Sequence, residues 1–179
     1  NLNLDMVEGA LSQKTKAVIA VHALGNPVDM PRLMRIANKH KLYVLEDNCD
    51  GWGTTIRGKK VGSFGHISFT SFHAAHIVTM GVGGGVFTSD KELAKKVRVY
   101  RDWGRQADIT GPNKYKGLPK DYNPRFIYEK IGYNFQILEL QAAMGRVQLR
   151  KIEEIKKARK YNAWYLRSHL MKYDNLIMP

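Results

Sequence analysis

Short apolar runs rich in β-branched residues alternate with stretches of helical periodicity over the first half of this chain. Leu4 to Leu11 reads as a short helix, and Ala17 to His22 is an apolar run of buried-strand length. Gly25-Asn26-Pro27 breaks the chain, and Asp29 is placed to cap a helix from Met30 to Lys39 whose Leu33, Met34, Ile36 and Ala37 share one face. Leu42 to Glu46 is the next strand and ends at Asp47. Strand, helix and strand in succession predict a right-handed crossover and a parallel sheet covered on both faces. Sites in such sheets lie at the carboxyl ends of strands, which is where Asp47 falls.

Glycines at 51, 53, 58 and 62 then punctuate a turn-rich stretch. Short strands are expected at His66 to Phe72 and Gly85 to Thr88, followed by a helix from Lys91 capped by Asp90. Asp108 to Arg125 holds most of the remaining prolines and glycines and reads as a loop. From Leu138 to Leu170 the pattern is a long amphipathic helix, or two helices meeting near Tyr161. A start at Asn1-Leu2-Asn3, with neither methionine nor signal segment, predicts a piece of a longer protein.

With 179 residues, 44% hydrophobic and 25% charged, the chain can bury one substantial core. It has no long uncharged apolar run, so no membrane span is expected. A single cysteine argues against a disulfide framework and fits a reducing cytoplasm. The net charge of +13 is concentrated in Lys91 to Arg105 and Arg146 to Arg159. Lys151 to Lys157 alternates apolar and charged positions as a solvated helix face does, and no recognition-helix, zinc or aromatic-basic motif accompanies the charge. A diphosphate-bearing small substrate accounts for it better than nucleic acid.

The candidate chemistry lies around Asp47 and the stretch from Ser71 to Gly85. A carboxylate at a strand end is either a satisfied turn residue or, functionally, a partner that keeps a pyridine nitrogen protonated. Ser71 and the glycine cluster could supply a hydroxyl and backbone donors for an anion. His76 lies between them and can move protons near neutral pH. His73 is adjacent and is expected to be merely hydrogen-bonded, while Trp52 could approach a substrate after Asp50. His22, His40 and His169 show no ligand spacing, so no metal site is expected.

Asp47, Ser71, His76, the glycine turn, Gly132-Tyr133-Asn134-Phe135 and Leu140-Gln141-Ala142-Ala143 follow the order and spacing of the DegT/StrS-type sugar-nucleotide aminotransferases, which depend on pyridoxal phosphate (PLP). Glu46 to Asp50, Gly62 to Gly65, Ala75 to Gly81 and Arg101 to Arg105 resemble that family's dehydratase branch most. The resemblance implies an α/β, aspartate-aminotransferase-like (PLP fold type I) large domain. Residues 1–136 would be its C-terminal part, and 137–179 a helix leading to a small C-terminal domain. It implies a homodimer with shared active sites and a nucleotide-sugar substrate. By residue, Asp47 would pair with the pyridine nitrogen, Ser71 would bind the cofactor phosphate, and Asn134 would reach the phosphate in the neighbouring subunit. His76 would stand in place of the lysine that tethers the cofactor in aminotransferases. Asp50 would sit near the ring, where aminotransferase members often have glutamine.

The implied reaction is removal of the C3 hydroxyl from a 4-keto-6-deoxy nucleotide sugar with pyridoxamine phosphate (PMP) or PLP, in deoxysugar synthesis of the lipopolysaccharide type. Iron-sulfur members of the branch carry four cysteines, but here Cys49 stands alone, with Ala107 and Ile109 where sulfur would be expected. No iron-sulfur cluster is therefore expected, and Cys49 reads as a small buried filler. Val82 and His66 replace usual acidic residues of the family. Two alternatives stay open: an aminotransferase of the same family, and an inactive basic regulatory or nucleic-acid-binding relative.

Overall fold

The computed structural model describes residues 1–106, 115, 117–119 and 121–177. One sheet runs in the order β1 (Ala17–Val21), β2 (Tyr43–Asp47), β5 (Ile67–Ser71), β6 (Gly84–Phe87). The first three strands are parallel, with Val21 opposite Asp47 and Asp47 opposite Phe69, and β6 returns antiparallel to β5. The predicted α/β architecture is present. The helix between β1 and β2, α2 (Met30–Lys39), begins where expected: Asp29 accepts a hydrogen bond from the Arg32 amide at 3.0 Å, and Pro31 occupies the first turn, where its missing N–H is no loss.

Residues in register on parallel strands share a face, so Ala20, Val44 and Glu46 point one way and Ile19, Leu45, Asp47 and Phe69 the other. The first face is the core. Met30, Leu33 and Ala37 of α2, with Leu4 and Val7 of α1 (Leu4–Val7), bury Ala20 and Val44 completely. On the second face α3 (Lys91–Arg101), capped by Asp90, stands opposite β5 and β6, and Ile67, Phe69, Leu93 and Val97 line a cavity of about 1200 Å3 between them. Over β1 and the start of β2 this face is open, with Ile19 and Tyr43 each 55% exposed. Helices stand on both faces as predicted, but they cover the second only in part.

Two local features differ from expectation. The turn-rich stretch after Gly51 contains a small hairpin, β3 (Thr55–Ile56) and β4 (Lys59–Lys60). Its two-residue turn, Arg57-Gly58, has both φ values positive, 51° and 82°, the geometry whose twist matches paired strands. The C-terminal helical region is two helices, α4 (Glu139–Arg150) and α5 (Ile152–Leu170), and the break falls at Lys151 rather than near Tyr161. Each helix rests on a different part of the body. Gly145 of α4 packs against Met80, and the stem of Lys156 in α5 lies over Gly53. Tyr161 instead packs within α5 against a tilted Trp164 ring and stacks on Tyr165, at the spacing that places side chains on one helix face. Ala107, Asp108, Ile109 and much of the expected loop fall outside the described residues.

The segment carrying Asn134 docks on the end of α3 by backbone contacts. Trp103 donates to the Tyr133 carbonyl at 2.9 Å, and Tyr133 and Phe135 donate to Tyr100 and Arg101 at 2.8 and 3.0 Å. This approach needs a glycine at 132, because a Cβ there would overlap the Gly104 amide and the Trp103 carbonyl carbon. Gly132→Ala should therefore cost about 1–3 kcal/mol. Urea unfolding of the full-length protein measures this, and an unchanged midpoint would mean the segment docks elsewhere.

Candidate active site

Consecutive residues of β2 send two carboxylates to opposite faces, and the two do different work. Glu46 is wholly buried on the core face. It accepts hydrogen bonds from the amides of Gly62, Phe64 and Gly65 at 2.7, 2.7 and 2.5 Å, and His22 Nε2 lies 3.1 Å away. His22 Nδ1 accepts from the Val28 amide at 3.3 Å, so the ring proton sits on Nε2 and points at Glu46. Burial pushes the Glu46 carboxyl upward, but the His22 hydrogen bond and the three amides outweigh it, and the group sits below its ordinary value. The Gly-Ser-Phe-Gly motif is thus a clasp around Glu46. Sequence reasoning quoted this motif and His22 without finding the clasp, because its members are joined only by the fold.

Asp47, on the second face, accepts from the Cys49 amide at 3.1 Å. The adjacent strand places Ser71 on that same face at its own carboxyl end. Cys49 is half-buried between Asp47 and the Ser71 backbone, rather than filling the core. Burial and the Asp47 carboxylate push its thiol up to about 11, so it stays protonated. Ser71 Oγ accepts from the His73 amide at 3.1 Å, which leaves its own proton for another acceptor.

His76 lies in the loop between β5 and β6, partly buried, and its Nδ1 is 3.3 Å from Asp50 Oδ1. The glycines that follow hold this loop in place. Gly81 and Gly83 carbonyls accept from the Ala74 and Phe72 amides at 3.1 and 2.9 Å, and Gly84 has room only for hydrogen where it passes the Thr70 carbonyl. The Gly81 amide goes to Thr79 Oγ1 rather than outward to an anion. Gln141, at the start of α4, caps its own helix at the Leu138 amide and donates to the Val82 carbonyl at 3.3 Å. The Leu-Gln-Ala-Ala motif therefore braces the glycine turn. His73 accepts from the Ala75 amide at 3.2 Å, the locally bonded role expected of it.

Asp47, Asp50, Ser71 and His76 thus gather at the carboxyl edge of β2 and β5. Asn134 does not join them: it is exposed and bridges Asp102 at the end of α3. Trp52 Nε1 donates to Thr70 Oγ1 at 2.8 Å and so ties the Asp50 loop to β5, a structural contact in keeping with a packing aromatic. No group of three or more potential metal ligands occurs among the described residues. The donor set fits a phosphorylated pyridine: an anion for the ring nitrogen, a hydroxyl with a free proton for the phosphate, and an imidazole beyond them.

Fold and site define an aminotransferase-like α/β domain of the PLP type. All of residues 1–179 match the DegT/DnrJ/EryC1/StrS aminotransferase family, and the chain belongs to it. It is 40% identical to the lipopolysaccharide biosynthesis protein RfbH of Salmonella typhimurium, over 95% of this chain and 41% of that protein. An aminotransferase structure from Psychrobacter cryohalolentis superposes with a TM-score of 0.85 at 35% identity, over 97% of this chain and 43% of that one. The E. coli GDP-4-keto-6-deoxy-D-mannose-3-dehydratase with bound hydrated PLP superposes with a TM-score of 0.84 at 28% identity, over 97% and 45%. The chain spans about four-tenths of the length of such relatives. No helix among the described residues is long and apolar enough to cross a membrane.

Proposed function

We propose that the full-length protein is a PMP/PLP-dependent dehydratase that removes the C3 hydroxyl of a 4-keto-6-deoxy nucleotide sugar. The observation that carries this reading is His76. The side chain beyond Ser71, held toward the carboxyl edge of the sheet, is an imidazole and not an amine able to tether the cofactor. The cofactor, when bound, supplies an amine for the sugar's ketone and an electron-withdrawing ring. Asp47 would face the ring nitrogen and keep it protonated, and Ser71 would donate its hydroxyl proton to the phosphate. His76 would take a proton at one ring nitrogen and return it, the acid-base role an imidazole can fill.

Residues 1–136 would then be the C-terminal part of the large domain, and 137–179 the connection to a small one. Asn134, exposed on its docked segment, would serve the neighbouring subunit of a homodimer. The basic surface would favour a diphosphate-bearing sugar over a neutral one. The test is incubation of the full-length protein with PMP and candidate 4-keto-6-deoxy nucleotide sugars, with products read by mass. Loss of the C3 oxygen is expected; an amino sugar with that oxygen retained would establish transamination instead.

A further inference from the structure

Asp50 comes from the loop after β2 and His76 from the loop after β5, and nothing in the sequence joins them. The fold brings Asp50 Oδ1 to 3.3 Å from His76 Nδ1. The other carboxylate oxygen, Oδ2, accepts from the Leu24 amide at 3.2 Å. Leu24 holds a positive φ of 55°, a conformation that a leucine keeps only under constraint. The constraint is visible. Gly25 follows with φ 82° and packs under the Asp50 carbonyl, and Thr54 Oγ1 ties the Gly25 carbonyl down at 3.1 Å. The turn itself leaves directly from His22, in the buried clasp around Glu46. One oxygen of Asp50 is thus anchored to backbone, which aims the other at the imidazole.

We propose that Asp50 is the positioning residue of His76: its carboxylate accepts the Nδ1 proton and so leaves Nε2 as the nitrogen that gives and takes protons. This deepens, and rests on, the dehydratase reading above. An ionised carboxylate only accepts, so a neutral His76 facing it must carry its proton on Nδ1. A free histidine in water prefers the opposite tautomer, so the pairing selects the less common form. The same division of labour, with an acidic side chain fixing the tautomer and orientation of a histidine base, recurs wherever a histidine must present one defined nitrogen. The other titratable ring near His76 is His73, whose centroid lies 6.4 Å away and whose Nδ1 is occupied by the Ala75 amide.

The decisive measurement is the tautomer of His76, read from the nitrogen chemical shifts of 15N-histidine-labelled full-length protein at a pH where the ring is neutral. Comparison with H76N identifies the signals. Nδ1–H should predominate in the wild type. In D50N the Leu24 amide still needs an oxygen, so the new amide turns its NH2 toward His76, and the ring should invert to Nε2–H. With the sugar substrate, kcat of D50N should fall at least about tenfold while KM stays within about threefold, as for loss of an interaction made only during reaction.

A wild type dominated by Nε2–H, or a D50N protein with the wild-type tautomer, overturns the proposal. Should D50N fail to fold, the wild-type spectrum alone decides. The tautomer reading needs no turnover, so it also separates two failures. Inversion in D50N alongside an amino-sugar product would sustain the positioning role and discard only the dehydratase reading.

Discussion

Replacing His76 with asparagine in the full-length protein should lower the rate of C3 deoxygenation by about a hundredfold to ten-thousandfold, the range a positioned acid-base group contributes. Asparagine is the informative choice because it preserves the contact and removes the chemistry. Its side-chain N–H can still donate to Asp50 Oδ1, which lies 3.3 Å from the present ring nitrogen, so the loop between β5 and β6 keeps its brace. The Phe72 and Ala74 amides, held by Gly83 and Gly81, do not involve the side chain at all. An amide cannot take and release a proton near neutral pH, so the loss falls on turnover. The cofactor contacts expected of Asp47 and Ser71 remain. Absorbance of bound PMP should therefore match the wild type, and single-turnover assays should show the slow step. Undiminished deoxygenation would remove His76 from the reaction.

Glu46→Ala should be the most damaging change to stability, at about 3–5 kcal/mol, as expected when one partner of a buried charged network is deleted. The reason is the donors it strands. The amides of Gly62, Phe64 and Gly65 and the Nε2–H of His22 all point into a space closed to water, and each unsatisfied donor costs about 1–3 kcal/mol before relaxation. Glu46→Gln separates charge from shape. Its one oxygen serves some of the donors, while its NH2 opposes the rest.

The pH dependence follows from the direction of the shift. A carboxyl held below its ordinary value of 4.5 in the folded state contributes stability that is complete above that pH. The contribution is lost as pH falls through the lower folded value. Urea unfolding of wild type and E46Q should therefore show a full gap at neutral pH that closes in acid. A gap of equal size at pH 7 and well below 4.5 would mean that the charge of Glu46 contributes nothing.

The lesson of Glu46 and Asp47 is that neighbouring carboxylates are indistinguishable as letters. Register alone assigns one to the core face and the other to the site face, because side chains alternate across a strand and β5 pairs with β2 at Asp47 and Phe69. The break at Lys151 was illegible for a related reason. The periodicity of Leu138 to Leu170 is continuous, and the helix divides where its two parts meet different surfaces, Met80 and Gly53. The hairpin at Arg57-Gly58 hid in a stretch whose glycines signalled turns without saying which strands they joined.

Local patterns were sufficient for the parallel strands, for α2 and α3 with their Asp29 and Asp90 caps, and for the family that the spacing of motifs implies, because capping and strand burial are written within a few residues. Tertiary structure alone decided what each motif is for. The Gly-Ser-Phe-Gly amides clasp Glu46, Gln141 braces the glycine turn, and a carboxylate anchored on Leu24 faces His76. These pairings lie 18, 59 and 26 residues apart along the chain, and only the folded backbone brings such partners within hydrogen-bonding distance.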